Sequence, residues 1–293
     1  MKIEITKPGK DYELIDSGNG KKLERYGSYT LARPDPQALW LPKLSESIWN
    51  KADAVFIRKG KTTDWKKKKD LPENWKMNFG GLVMEIQTTT FKHTGLFPEQ
   101  LSNWIWIEEK IAQHKARNTK HKLKILNLFG YTGGATLVCA KAGSEVVHLD
   151  GSKLSIAWAR RNQGESGLSD KPIRWILDDA VAFLKREVKR GNKYDGVIMD
   201  PPAFGHGPKG EVWKIEENFT ELMELSRKVL SEDPIFFLIN GYASGFSPIA
   251  YENNLKDIMK KYKGTIEIGE LAIGENKTGR LLPSGIFARW SKT

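Results

Sequence analysis

The spacing of apolar positions changes along this chain of 293 residues. Up to about residue 90, short apolar runs alternate with turns rich in glycine, proline and asparagine, such as residues 17–20 and 79–81. Runs of this length between such turns are typical of β-strands. The pattern therefore predicts a small β-rich domain over residues 1–90, with strands near residues 29–33, 54–58 and 82–86.

From residue 98 onward, helical and strand-like periods alternate. Apolar side chains three and four positions apart predict a helix over residues 98–114. Beyond a charged linker at 114–124, we expect strands to begin near residues 123, 146, 173, 196 and 235, with helices near 135–142, 154–165, 180–190 and 218–230. Regular alternation of this kind is typical of a parallel sheet covered by helices, and it predicts a second domain over residues 91–293.

The last part of the chain breaks this alternation. Ser247 and Pro248 suit the N-cap and first position of a helix that runs to about residue 262. Two strand-like runs follow, at residues 265–273 and 285–290, with no helix between them. We therefore predict a Rossmann-like α/β sheet that closes with an antiparallel strand pair.

A glycine-rich turn follows the first strand of this sheet. Residues 125–134 form an apolar run that ends in Gly-Tyr-Thr-Gly-Gly and leads into a helix, although the G-x-G-x-x-G spacing of dinucleotide sites is absent. Asp150 ends the next strand, sixteen residues beyond Gly134. A carboxylate there can accept hydrogen bonds from two ribose hydroxyls. Its alternative role is to cap the helix that begins after Ser152.

The third strand also ends in acidic residues. Asp179 could accept a hydrogen bond from an adenine amino group, with its neighbour Asp178 as a rival and helix capping as the alternative role. Because the carboxyl ends of parallel strands meet at one edge of a sheet, where ligands bind, we expect these side chains to lie together.

The sequence Asp-Pro-Pro-Ala-Phe at residues 200–204 follows the fourth strand. Two prolines fix an extended turn and remove two backbone donors, so carbonyl groups and the Asp200 carboxylate are left as acceptors. Such acceptors can hold a planar group that bears an amine, and Phe204 could stack on a base. The alternative is a rigid turn that only ends the strand.

Taken together, residues 127–134, Asp150, Asp179 and residues 200–204 resemble the S-adenosylmethionine (SAM)-dependent methyltransferases. They are similar in particular to the branch that modifies 23S ribosomal RNA of the large subunit at cytosine C5 or at guanine. The resemblance covers residues 80–293, and the β-rich part is similar to the small domain that precedes the catalytic one in this branch. A sheet that closes with a strand pair is also the layout of class I methyltransferases.

The resemblance implies a cofactor and a set of site residues. Residues 91–100 are similar to a cofactor-contacting segment of the branch, and residues 240–246 stand where the branch has a substrate-side segment. The expected SAM-binding residues are Lys92, Thr94, Phe97, Gln100, Asn127, Phe129, Tyr131, Thr132, Gly133, Gly134, Asp150, Ser152, Asp179 and Asp200. The expected catalytic residues, which would orient the acceptor, are Asp200, Pro201, Pro202, Phe204 and Tyr242.

The chain departs from the cytosine-C5 enzymes in one respect. Those enzymes attack the ring with a cysteine after the fifth strand or after the Asp-Pro-Pro strand, whereas residues 203–205 and 242–244 contain none. Cys139, the one cysteine, stands among Leu137, Val138 and other apolar residues and is expected to be structural. The sequence therefore predicts direct methyl transfer, which depends mainly on positioning the acceptor.

Charge and composition favour a polyanionic partner. The formal net charge is +11, and six of the ten tryptophans precede residue 107. Trp65 precedes four lysines at residues 66–69, an arrangement that suits stacking on bases and contact with phosphates. The alternative is that the tryptophans belong to the core and the lysines to a solvated loop.

We therefore expect a cytoplasmic, SAM-dependent methyltransferase that acts on RNA, and on ribosomal RNA in particular, through its basic, tryptophan-rich N-terminal part. Neither an apolar run of about 20 residues nor a metal-ligand spacing is present, so no membrane or metal partner is expected. The alternatives are a methyltransferase for a small molecule or a protein, and a non-catalytic RNA-binding protein with a vestigial cofactor site. The glycine-rich loop at residues 206–213 either closes over substrate or is an ordinary connector.

Overall fold

A computed structural model describes residues 1–60, 62–90, 92–117, 121–242 and 245–293. The chain divides into two compact units. The β-rich unit comprises Glu4–Ser102 and Leu271–Ser284, and the sheet unit comprises Met1–Ile3, Asn103–Glu270 and Gly285–Thr293. Phe91 and residues 118–120, 243 and 244, which fall within the predicted segments, lie outside the described residues. A functional domain boundary after residue 90 stays a prediction.

Seven α-helices and seventeen strands are found within the described residues. The helices are α1 (Glu46–Trp49), α2 (Leu101–Arg117, after a 3-10 turn at Pro98–Gln100), α3 (Gly134–Lys141), α4 (Lys153–Glu165), α5 (Ala180–Arg190), α6 (Ile215–Val229) and α7 (Pro248–Met259). The strands are β1 (Lys2–Thr6), β2 (Tyr12–Gly18), β3 (Lys21–Tyr26), β4 (Tyr29–Pro34), β5 (Ala54–Lys59), β6 (Thr62–Lys67), β7 (Asn74–Phe79), β8 (Leu82–Gln87), β9 (Lys124–Leu128), β10 (Glu145–Asp150), β11 (Ile173–Leu177), β12 (Gly196–Met199), β13 (Phe204–His206), β14 (Val212–Lys214), β15 (Phe236–Gly241), β16 (Gly264–Gly274) and β17 (Leu281–Lys292).

The β-rich unit contains a five-stranded sheet, in the order β2-β3-β4-β5-β6, and the hairpin β7-β8. Its hairpins turn at residues with positive φ: Asn19 and Gly20 join β2 to β3, and Gly80 and Gly81 join β7 to β8. Two such residues in succession give the turn whose twist matches that of the flanking strands. The predicted small β-rich N-terminal part is therefore confirmed, since β4, β5 and β8 cover the expected strands.

The large sheet has eight strands in the order β1-β16-β17-β15-β12-β9-β10-β11. Strands β15, β12, β9, β10 and β11 are parallel neighbours, and β17 runs antiparallel to β15. The Rossmann-like sheet with its closing strand pair is thus confirmed. Its central strands are buried on both faces, since every residue of β12 and β15 is buried, which explains their continuous apolar sequences.

Helices α5, α6 and α7 cover one face of this sheet. Their apolar stripes supply Phe183, Leu222 and Leu255, which pack with Leu126 and Phe237 of the strands in one buried cluster. Among the described residues, no helix is long and apolar enough to cross a membrane.

The β-rich unit buries a cluster of charged and phenolic side chains. Glu24 is 0% exposed and accepts hydrogen bonds from Arg33 Nε at 2.6 Å and from the hydroxyls of Tyr12 at 2.7 Å and Tyr26 at 3.2 Å. Burial alone would raise the pKa of Glu24, but the charges of Arg33 and Lys22 lower it to about 2. The carboxylate is therefore ionised, and its oxygens accept hydrogen bonds from side chains within the unit.

We predict that Arg33→Met destabilises the β-rich unit by about 3–5 kcal/mol, because it leaves the Glu24 charge buried without its main partner. Lys68→Met is the matched control, since Lys68 pairs with Asp53 at the surface and such pairs contribute only about 0–1 kcal/mol. Urea unfolding of both variants measures the difference. Equal losses of unfolding free energy in the two variants would show that the buried pair of Arg33 and Glu24 stabilises the unit no more than the surface pair does.

Candidate cofactor and acceptor site

The parallel register brings four strand ends to one edge of the large sheet. Leu128 of β9 pairs with Leu149 of β10 and with Met199 of β12, and Asp150 of β10 pairs with Leu177 of β11. The loops that follow these residues therefore begin side by side, at the edge where open α/β sheets bind ligands. The four segments singled out from the sequence are thus brought together.

The turn between β9 and α3 is shaped by the rings beneath it. A Cβ atom on Gly130 would overlap the imidazole of His148, and one on Gly134 would overlap the indole of Trp104. Phe129 and Tyr131 have positive φ values of 57° and 50°, which non-glycine residues rarely adopt. Packing against the rings of His148 and Trp104 thus requires glycine at positions 130 and 134.

A buried polar network supports this turn. Asn127 Nδ2 donates to Thr136 Oγ1 at 2.8 Å, and Thr136 Oγ1 lies 2.9 Å from His148 Nδ1. Burial lowers the pKa of His148 to about 3, so its ring is neutral. Because Thr136 already accepts from Asn127, its own hydroxyl can donate to His148 Nδ1. The side-chain nitrogen of Asn127 is therefore used in a hydrogen bond within the protein. A contact of Asn127 with cofactor stays a prediction.

Asp150 joins the loop after β9 to the loop after β10. Its Oδ2 accepts from the peptide N–H of Tyr131 and its Oδ1 from that of Ser152, both at 2.8 Å. Burial raises the pKa of Asp150, and these two hydrogen bonds oppose that rise. Ser152 itself caps α4 by accepting from the N–H of Ser155. Both carboxylate oxygens therefore sit at the strand end in fixed positions, and each keeps lone-pair capacity for a ribose hydroxyl.

The two acids after β11 have different partners. Asp179 caps α5 by accepting from the N–H of Ala182 at 2.8 Å, which is the alternative role considered from the sequence. Asp178 forms an ion pair with Arg186 and accepts from the N–H of Asp179. An adenine contact through the second oxygen of Asp179 stays a prediction.

The Asp-Pro-Pro turn follows β12. Burial raises the pKa of Asp200 to about 6. The carbonyl oxygen of Pro202 accepts from Trp213 Nε1 at 2.6 Å. This carbonyl is therefore already bonded and contributes less to the row of acceptors than the sequence suggested. Phe204, at the end of the turn, is 57% exposed.

Residues 204–214 form a β-hairpin, β13–β14. From the sequence alone, this segment could be either a loop that closes over substrate or an ordinary connector. Trp213, 4% exposed, packs its ring on Phe129 with centroids 5.1 Å apart. A Cβ atom on Gly151 would lie 3.1 Å from the carbonyl oxygen of His206. The hairpin thus extends from the end of β12 past the turn after β9 to the loop after β10. Closure over substrate stays a prediction.

Two tyrosines lie near the end of β15. Tyr242, predicted from the sequence, directly follows the strand and is 40% exposed. Tyr251 on α7 was missed: its hydroxyl occupies the space that a side chain on Gly241 would need. Burial, followed by the charge of Asp200, raises the pKa of Tyr251 to about 12. Helical spacing alone marks Tyr251 only as a core residue, so the sequence held no signal for this placement.

The remaining predicted residues are placed as follows. Lys92, Thr94, Phe97 and Gln100 belong to the β-rich unit, so their contact with cofactor stays a prediction. Cys139 is buried in α3, and burial raises its thiol pKa, so it is a neutral core side chain. Within the described residues, no group of three or more histidine, cysteine or acidic side chains could hold a metal ion.

A parallel sheet of this order, with a glycine turn and strand-end carboxylates at its carboxyl edge, defines a class I methyltransferase fold. The chain belongs to the S-adenosylmethionine-dependent methyltransferase family, whose pattern it matches over residues 55–241. SAM is therefore the cofactor of the family to which this site belongs, and the carboxylates and glycine turn described above fit a nucleoside with an adjoining amino acid.

Solved and curated relatives agree with this assignment. A crystal structure of a SAM-dependent methyltransferase from Agrobacterium tumefaciens matches with a TM-score of 0.94 at 38% identity, covering 100% of this chain and 94% of that one. Ribosomal RNA large subunit methyltransferase K of Neisseria meningitidis is 24% identical over 255 residues, which are 83% of this chain and 70% of that protein. The K/L enzyme of Ectopseudomonas mendocina is 31% identical over 165 residues, which are 56% of this chain and 21% of that protein.

We predict that Asp150→Ala weakens SAM affinity by about tenfold or more, because it removes the ribose acceptor and leaves two peptide N–H groups of the site without their partner. Asp170→Ala is the matched control, since Asp170 is an exposed acid that pairs with its neighbour Lys171. Isothermal calorimetry measures both affinities, and circular dichroism confirms the fold. Unchanged affinity in folded Asp150→Ala would remove the ribose assignment.

Proposed function

We propose that this chain transfers the methyl group of SAM directly to a base of ribosomal RNA, without a cysteine nucleophile. The observation that carries the proposal is the Asp-Pro-Pro turn after β12, which has the Asp200 carboxyl, its pKa raised by burial, at one end and the exposed ring of Phe204 at the other. The names of the relatives from Neisseria and Ectopseudomonas support RNA as substrate. The burial of Cys139 within α3 supports a mechanism in which no thiolate takes part.

Each residue at the acceptor end has a physical role in this proposal. The ionised Asp200 carboxylate accepts from N–H groups of the base and so fixes its plane. Phe204 offers an exposed face on which the base can stack, and Tyr242 bounds the acceptor from β15. Trp213 holds the Asp-Pro-Pro turn through Pro202, which sets the position of Asp200 relative to the glycine turn. In-line positioning of this kind can supply most of the rate enhancement of a transfer that needs no enzyme nucleophile.

The β-rich unit contributes lysines, but not the face of Trp65, to this proposal. Trp65 is 6% exposed and donates from Nε1 to the carbonyl of Thr89, so it belongs to the core and its ring is closed to a base. Lys66, Lys67 and Lys69 are exposed and can contact phosphates. Contact between this unit and RNA is therefore proposed through these charges. A ribosomal RNA substrate also implies a cytoplasmic location.

The proposal predicts that methyl-labelled SAM transfers label to deproteinised ribosomal RNA. Digestion of the product to nucleosides should yield a nucleoside that is methylated on a nitrogen of its base. Heat-denatured protein is the control for non-enzymatic label. No transfer to RNA, with SAM binding intact, would favour a protein or small-molecule acceptor, or a vestigial site. Labelled 5-methylcytidine in the product, or complete loss of methyl transfer in a folded Cys139→Ser variant, would establish covalent catalysis instead.

We predict that Trp213→Phe lowers kcat by about tenfold and leaves the KM for SAM nearly unchanged. The phenyl ring keeps the packing on Phe129, whereas the donor to Pro202 is lost and the acceptor turn is released. Trp75→Phe is the matched control, because it removes an equivalent bond from a buried indole to the carbonyl of Tyr26 in the other unit. Equal effects of the two variants on kcat would assign Trp213 a merely structural role.

Methyl transfer is predicted to depend on pH through Asp200. The carboxyl must be ionised to accept hydrogen bonds from the base, and its pKa is raised by burial from 3.8 to about 6. Because the active form is the deprotonated one, kcat/KM should rise as pH increases through about 6 and then level off. Asp200→Asn should have a lower kcat/KM that is flat across this range. The same pH profile in Asp200→Asn and in the wild-type protein would contradict a role for this carboxylate.

A further inference from the structure

A cationic groove lies at the amino edge of the large sheet, opposite the edge that carries the site. Lys124 begins β9, Arg174 lies near the start of β11, and Lys193 precedes β12. All three side chains line the groove and are exposed. The strand register explains their proximity, since Lys124 is paired with Glu145 of β10, and Arg174 is paired with Val147 of the same strand.

The groove keeps a positive charge because the acids around it already have partners. Glu145 pairs with Lys122 at 3.1 Å, Asp195 lies 3.0 Å from His121, and Glu187 pairs with Arg190 at 3.1 Å. Within the described residues, the side chain of Lys124 forms no hydrogen bond or ion pair, and Arg174 interacts through its charge with Glu187, which is also paired with Arg190. Lys193 Nζ donates to a backbone carbonyl, which leaves its charge uncompensated.

The floor of the groove is apolar. It is formed mainly by Pro172 and Ile173 from the start of β11, since Val146 of β10 and Tyr194, which also line it, are only 2% and 4% exposed. The Tyr194 hydroxyl points away into a hydrogen bond with Glu187 at 2.6 Å. Exposed cations at the rim of such a groove suit a partner with closely spaced anionic groups, as the backbone of a nucleic acid strand has.

The distance between the two edges indicates how long such a partner is. Strand β10 runs from Glu145 at the groove to Asp150 at the site, and five residue steps span about 16 Å. Because a bound strand must follow the surface around the sheet, it needs at least about five nucleotides, at about 3.4 Å each, to contact both edges. A small-molecule acceptor at the site could not reach the groove, whereas an RNA substrate extends far enough to contact both edges.

We infer that this groove binds the backbone of the RNA substrate several nucleotides from the base that is methylated. The inference rests on the proposed function and deepens it, since it assigns the groove a share of the substrate affinity. Lys124, Arg174 and Lys193 neutralise phosphates there, and the counterions that these phosphates release favour binding. The contact positions the RNA and carries no information about its sequence.

The test neutralises the groove and compares it with an equal change elsewhere. The groove variant is Lys124→Gln, Arg174→Gln and Lys193→Gln, and the control variant is Lys185→Gln, Lys256→Gln and Lys263→Gln on and after helices of the same unit. Affinity for deproteinised ribosomal RNA is measured at several salt concentrations. The groove variant should bind about tenfold more weakly at moderate salt, and its salt slope should fall by about three, one for each lost cation.

Calorimetry with SAM, measured on both variants, should give wild-type affinity and so shows that the sheet unit is folded. If the wild-type protein binds and methylates RNA and the two variants lose affinity equally, the groove has no special role and the inference fails by itself. If the wild-type protein neither binds nor methylates RNA, the proposed function fails and the inference falls with it. If the groove variant keeps its RNA affinity and loses binding to polyglutamate, the partner is an acidic protein, and the inference is wrong.

Discussion

The site depends on the two hydrogen bonds that the carboxylate of Asp150 accepts from Tyr131 and Ser152. They link the loop after β9 to the loop after β10, because both loops donate a peptide N–H group to the same carboxylate. The first of these loops holds Phe129 and Tyr131 at positive φ, a conformation that costs of order 1–3 kcal/mol for each residue and persists only where its surroundings impose it. Asp150 therefore stabilises these two loops even when no ribose is bound.

The rings beneath the glycine turn supply the other half of this constraint. His148 and Trp104 fill the space that side chains at Gly130 and Gly134 would need, and Thr136 fixes the imidazole from α3. Since the imidazole is neutral and fully enclosed, it supports the turn without adding a charge to the site. The shape of the turn is thus set by packing from within the protein, which prepares the site for its cofactor in advance.

The sequence predicts the architecture and the edge of the sheet that carries the site, because apolar period and turn chemistry are local properties. It does not predict contacts between distant segments. The bond from Trp213 to Pro202 and the approach of Tyr251 to Gly241 depend on how a hairpin and a helix return to the sheet. The same limit applies to Trp65, whose neighbouring lysines suggest an exposed ring although the fold encloses it.

The position of β17 has a consequence for how the protein is made. This strand lies between β16 and β15 in the interior of the large sheet, yet a ribosome synthesises it after every other strand of that sheet. During translation, β15 therefore emerges with one edge unpaired, and an open edge is a template for pairing with other chains. The interior of the sheet is therefore completed only by its last strand to be synthesised, and until then the edge of β15 is open to pairing with other chains.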